Sequence, residues 1–229
     1  MYVRPNLSSK RELRDIIIAD LILTIAIAFT LSGGIESLSG KDAIYSFMLL
    51  IPISFIGVTL SFVLHEMMHK FAAQKFGAIA AFQSSTNGLV ITLLTGFFGF
   101  LIGIPGATVI YTNRFTKREN GIVSLVGPLT NFAVFGVFVA ILYIFNPTGY
   151  LSNLVSVVIF ISIILAFFNM LPIFPLDGSK VLAWNPVIYV ITMGTIFLLT
   201  ITFTGISLIE ILIIFIIALF FSMFYRSIL

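Results

Sequence analysis

Charged residues interrupt this chain so rarely that its apolar runs define its plan. Residues 16–32 form a first run, ended by Gly33-Gly34. Residues 43–64 form a second, which continues past His65 to about Phe76. Residues 121–145 form a third, closed by Asn146-Pro147, and residues 154–171 a fourth, broken by Pro172 and Pro175. Residues 186–203 and 208–225 are two more, joined by Thr204-Gly205. Each run is near the roughly 20 residues that a helix needs to cross the hydrocarbon. The pattern predicts an all-α polytopic membrane protein with about six transmembrane helices. Residues 89–105 do not fit it: they are apolar, but short and rich in glycine. Asn87-Gly88 just before them is a strong hairpin signal, so residues 79–86 and 89–94 are expected as two strands around that turn. The segment is read as a re-entrant or β-hairpin element. Irregular backbone of this kind survives at membrane depth only where protein or water covers its polar groups.

Composition sharpens this. The chain has 229 residues, 59% of them hydrophobic and 9% charged, with a mean hydropathy of +1.17. Soluble domains carry about 25% charged residues. The spans leave no stretch long enough for a soluble domain, so residues 1–229 are expected to form one membrane-embedded domain without a PDZ or CBS module. The absence of cysteine excludes disulfides, thiolate metal sites and thiol nucleophiles. The net charge of +3 is too small, and too concentrated at span ends, to suggest nucleic acid. The basic residues set an orientation. With a cytoplasmic N-terminus and a segment 89–105 that does not cross, Arg4, Lys10, Arg11, Arg14, Lys70, Lys75, Arg114, Lys117, Arg118, Lys180 and Arg226 all lie inside. Only Lys41 of the 12 basic residues is left outside, as the positive-inside rule requires. Both termini are therefore expected in the cytoplasm, with the protein in the cell membrane.

The chemistry centres on the two histidines of the chain. Leu64-His65-Glu66-Met67-Met68-His69 contains H-E-x-x-H. On a helix, residues four apart share a face, so both imidazoles can reach one Zn²⁺. Glu66, one step round, can deprotonate a water activated there. Two histidines and five glutamates placed at random give this arrangement roughly once in five thousand chains by simple counting. Ionisable residues inside a span are costly and mark function. A catalytic zinc keeps three protein ligands and one open position. With no cysteine and no third histidine, the remaining ligand should be a carboxylate. Asp177 stands out among the nine acids, in the run Asn169-Met170-Leu171-Pro172-Ile173-Phe174-Pro175-Leu176-Asp177-Gly178. The second and fourth spans run in the same direction. His65 and Asp177 lie 22 and 23 residues beyond their respective span starts, so they reach a similar depth. An ordinary turn or cap aspartate is the plain alternative.

Taken together, H-E-x-x-H on one span and N-x-x-P-x-x-P-L-D-G after a later one resemble the site-2 protease family of intramembrane zinc metalloproteases. Gly127-Pro128-Leu129-Thr130-Asn131 is similar to the G-P-x-x-N of the family's intervening span. The resemblance covers residues 55–181, flanked by spans 16–33 and 186–225. It implies one Zn²⁺ per chain held by His65, His69 and Asp177, with Glu66 as general base. It implies transmembrane proteins or peptides as substrates, cleaved in or near their spans within the lipid bilayer. Asn131 is similar to a family asparagine near the reaction centre, which would steady the oxyanion or the substrate backbone; an interhelical hydrogen bond is the equal alternative. The resemblance also implies a membrane-embedded β element, whose edge could align an unwound substrate. Without PDZ or CBS modules, substrate choice falls to the membrane part or to a separate regulatory or adaptor protein.

Other residues take lesser roles. Asp20 is placed at the membrane interface rather than inside the bundle. Glu210 is read as a cap of the last span, and Met67 and Met68 as packing. Asn169 is expected to satisfy unwound backbone before Pro172. Trp184 and Tyr189 suit an interfacial belt, and the sequon Asn6-Leu7-Ser8 is expected to go unused. The competing functions are a zinc-binding membrane transporter, which would line several spans with ligands, and a catalytically inactive scaffold, which would not need Glu66.

Overall fold

The computed structural model describes residues 9–112 and 115–228, with side chains to residue 220. Arg4, Arg114, the sequon at residues 6–8 and the side chain of Arg226 lie outside that description. Nine α-helices and two short strands occur among the described residues: α1 (Ser9–Ser32), α2 (Lys41–Val58), α3 (Leu64–Lys75), β1 (Ile79–Ser84), α4 (Thr86–Phe97), β2 (Gly106–Tyr111), α5 (Lys117–Phe145), α6 (Gly149–Asn169), α7 (Asp177–Trp184), α8 (Pro186–Thr204) and α9 (Leu208–Ile228). Helices α2 and α3 form one rod of 35 residues, continuous through Thr59–Val63, which is wound as a π-helix. That rod, α1, α5, α6 and α8 are each long and apolar enough to cross a membrane. Helices α4 and α9 are also apolar, and shorter over their described residues. The protein is an all-α polytopic membrane protein carrying one small antiparallel sheet.

The helix ends follow local chemistry. Thr116 and Glu119 cap α5 reciprocally, as in a capping box. Asn146 ends that helix in the left-handed region at φ 43°. Asn185 caps α8 through the amides of Val187 and Ile188. Ser207 and Glu210 close the start of α9 in the same reciprocal manner, as expected of Glu210.

The segment after α3 differs from the expected hairpin. Asn87 and Gly88 lie in the first turn of α4, where the Ser85 side chain accepts the Gly88 amide. Gly88 is needed for closeness, because a β-carbon there would collide with the carbonyl of Ile104. The partner of β1 is β2, with Ile79 opposite Tyr111 and Ser84 opposite Gly106. The chain therefore leaves β1, runs through α4 and returns beside its starting point, as a re-entrant element does. Its returning loop is held by side chains. Thr92 donates to the carbonyl of Ile102 and accepts the amide of Ile104, and Thr95 accepts the amide of Ile102. These bonds replace the water that such backbone would lack in a bilayer. Gly96 lets α4 press onto α1, where a β-carbon would stand 2.5 Å from the carbonyl of Ala26.

Two apolar cores flank the centre. One joins α5, α6, α8 and α9 around Phe135, Ile163, Phe167 and Ile196; the other joins α1, the α2–α3 rod, β1 and α4 around Leu23, Val58, Phe82 and Leu89. The π-turn anchors the rod to both sides. Ser61 shares a hydrogen bond of 2.8 Å with Ser162 of α6, and Thr59 donates to Asp20 of α1 at 2.9 Å. Asp20 is buried at 7% exposure, which corrects its interfacial placement. A carboxylate midway along a span is retained where a neighbouring donor satisfies it, and the widened turn presents Thr59 to it. Asn169 also differs: its side chain donates to Leu165 one turn back in α6, not to unwound backbone before Pro172.

Candidate metal centre

His65 and His69 occupy one face of α3, four residues apart, and both are buried. Their Nε2 atoms stand 2.9 Å apart. The main-chain carbonyl of Val123 in α5 lies 2.7 Å from His69 Nδ1. A carbonyl can only accept, so Nδ1 carries the proton and Nε2 keeps its lone pair facing inward. Asp177 opens α7 and is buried. Its Oδ2 lies 3.0 Å from His69 Nε2 and 3.4 Å from His65 Nε2. Its Oδ1 instead faces Lys180 Nζ at 3.6 Å, so one oxygen is turned to the lysine and the other to the imidazoles.

Two features bring Asp177 there. After α6 the chain unwinds through Leu171–Leu176, and Gly178 permits a close return: a β-carbon at Gly178 would meet the carbonyl of Leu171 at 2.6 Å and that of Met170 closer still. Helix α5 forms the remaining wall. At Gly127 a β-carbon would stand 2.7 Å from His65 Cε1 and would overlap His69 Nε2. Only glycine allows the backbone of α5 to reach the imidazoles.

Ligand atoms sharing a tetrahedral zinc at 2.0–2.1 Å stand about 3.3 Å apart. Separations of 2.9, 3.0 and 3.4 Å surround that value, and all three atoms lie within 4.8 Å of one another. Two nitrogens and a carboxylate oxygen converging in a buried space are suited to a cation. Among the described residues this is the single cluster of three such groups.

Glu66 follows His65 and is buried at 9% exposure. Its Oε2 accepts the amide of Thr108 in β2 at 2.7 Å, and its main-chain carbonyl accepts the Thr108 hydroxyl at 3.0 Å. Asn131 lies one turn beyond Gly127, on the face of α5 that meets the histidines. It is fully buried, and neither its oxygen nor its nitrogen has a hydrogen-bond partner among the described residues. The interhelical hydrogen bond, the alternative reading of Asn131, is not formed among these residues. Lys70, beside His69, pairs with Glu12 of α1 at 2.7 Å. Glu12 also accepts the amide of Phe82 in β1 at 3.2 Å. Sequence reasoning missed Thr108, Glu12, Lys70 and Val123. Nothing local marks them, because each acts through a contact between elements distant in the chain.

A 39% identity over 184 residues links the chain to a protein of Methanocaldococcus jannaschii named "Putative zinc metalloprotease", covering 80% of this chain and 89% of that one. The sequence profile described as peptidase family M50 matches residues 146–185, which hold the Pro-Leu-Asp-Gly run. The chain belongs to peptidase family M50. A Bacillus subtilis protein, also named "Putative zinc metalloprotease", is similar at 27% identity over 155 residues, covering 58% of this chain and 68% of that protein. No solved structure matches significantly. Membership makes this integral membrane protein a peptidase, and agrees with the resemblance read from its motifs.

Proposed function

We propose that this M50 peptidase is a zinc endopeptidase that cleaves membrane-anchored proteins within or beside their transmembrane segments. The observation that carries this reading is the position of His65, Glu66 and His69. They are buried on a continuous apolar helix long enough to cross a membrane. In the mechanism, His65, His69 and Asp177 hold the metal, one per chain. Zinc bound there acts as a Lewis acid and brings the pKa of a water to about 7. Glu66 takes a proton from the attacking water as the new C–O bond forms, and passes it to the departing amine as the peptide C–N bond then breaks. Asn131 supplies an N–H to the oxygen of the attacked carbonyl, a use that suits its unpartnered amide. Half-exposed β2 supplies main-chain groups along which an unwound substrate can lie. Basic residues at the inner ends of the spans favour a cell-membrane enzyme with cytoplasmic termini and with the site toward the cytoplasm. Selection by a separate adaptor protein completes the reading.

Hydrolysis needs an accessible carbonyl, which a regular helix hides in its own hydrogen bonds. Substrates should therefore carry Gly, Pro or Asn near the cleaved bond. The test is cleavage in detergent or liposomes of a transmembrane substrate and of a variant whose helix breakers are replaced by Leu. The variant should be cut at least about tenfold more slowly, a difference of 1.4 kcal/mol in barrier. Equal rates would contradict cleavage within an unwound helical segment.

A further inference from the structure

We propose that Thr108 positions Glu66 for proton transfer, holding the carboxylate by its main-chain amide. This inference rests on the general-base reading of Glu66. The strand geometry makes the amide available. In an antiparallel pair, opposed residues alternate between exchanging ladder bonds and pointing their N–H groups outward. Phe82 and Thr108 are opposite each other, and both amides leave the sheet: Phe82 donates to Glu12 and Thr108 to Glu66. Each edge of the sheet is thus closed at its middle by a glutamate from a flanking helix. On the β2 side that glutamate follows His65.

Thr108 grips Glu66 at two points. Its amide reaches Oε2 at the tip of the side chain, and its hydroxyl reaches the carbonyl at the root. A glutamate on a helix would otherwise sample several rotamers. Among the described residues Oε1 takes no hydrogen bond, so one oxygen is held while the other can accept a proton. An uncharged main-chain donor does this without a competing acid, and β1, itself buried against α1 and α3, keeps the donor in place.

The test removes the amide N–H. Thr108→Pro does so at an outward-facing edge position, where strands tolerate proline. An ester in place of the 107–108 amide, introduced with the α-hydroxy analogue of threonine, does so without added atoms and serves if the proline variant fails to fold. Either enzyme should retain zinc and a KM within about twofold, while kcat for a membrane-anchored substrate falls about 10- to 100-fold. Thr108→Val keeps the amide and should stay within about threefold of wild-type kcat. An ester at Ala80, an outward amide of β1 on the other edge of the sheet, should leave kcat unchanged and separates this role from general support of the sheet. Wild-type kcat in the ester enzyme would overturn the proposal, as would a raised KM with kcat intact, which would make the amide a substrate contact. Zinc loss on removing the amide would overturn it as well. Glu66→Gln is assayed alongside. If it still cleaves, the general-base reading fails; if it is inactive while the ester enzyme is not, only the Thr108 proposal fails.

Discussion

Replacing Gly127 by alanine tests how closely α5 approaches the imidazoles. The added β-carbon would stand 2.7 Å from His65 Cε1 and overlap His69 Nε2. Carbon atoms in optimal contact are about 3.5–4.0 Å apart, so relief requires a displacement of roughly 1 Å. His69 cannot swing aside freely, because its Nδ1 is held 2.7 Å from the Val123 carbonyl on the same helix. Overpacking of this kind costs about 1–3 kcal/mol. Ligand distances in a metal site tolerate only about 0.2 Å, so the cost should fall on metal binding. At 1.4 kcal/mol per tenfold, zinc affinity should drop about 10- to 100-fold. Competition with a chromogenic chelator measures this in purified protein. Gly136→Ala is the control on the same helix, since a β-carbon there meets nothing within 4 Å; it should bind zinc as the wild type does. Wild-type affinity and cleavage in Gly127→Ala would refute the packing of α5 on the metal site.

His65→Ala, His69→Ala and Asp177→Ala should each lose zinc on dialysis, read by elemental analysis, because each removes one of three ligands. Asn131→Leu should raise the unfolding temperature while cutting kcat by about 10²–10³, because it removes an unsatisfied buried amide and with it an oxyanion donor; thermal melts beside kinetics check both signs. Single cysteines at Lys117, the first residue of α5, and at Thr148, in the turn between α5 and α6, should label from opposite sides of intact cells with an impermeant thiol reagent. Thr148 should react from outside and Lys117 only after permeabilisation; the reverse would contradict the cytoplasmic placement of the site.

Much of the site was legible because its chemistry is local in sequence. His65, Glu66 and His69 need only helical spacing, and Asp177 follows from counting residues down two co-directional spans. The 3.0–3.4 Å contacts between Asp177 and the histidines match that depth argument. The spans were legible because charges are so sparse. The β1–α4–β2 element was not. Asn87-Gly88 carries a turn signature, but Ser85 caps a helix there, and strands 22 residues apart pair across it. Asp20 was misplaced because its partner Thr59 is presented by a π-turn, which has no sequence signal of its own. Thr108 was invisible for the same kind of reason: it acts through its backbone, which no residue type advertises.

Metal binding and proton transfer fall to adjacent residues and are separable by one substitution. Glu66→Gln keeps the shape of the side chain and removes its basicity. Zinc content and cleavage of a transmembrane substrate should be measured on one preparation of this variant. About one Zn²⁺ per chain is expected, with cleavage reduced at least about 10²-fold. Loss of the metal, or cleavage at the wild-type rate with the metal in place, would contradict that division of roles.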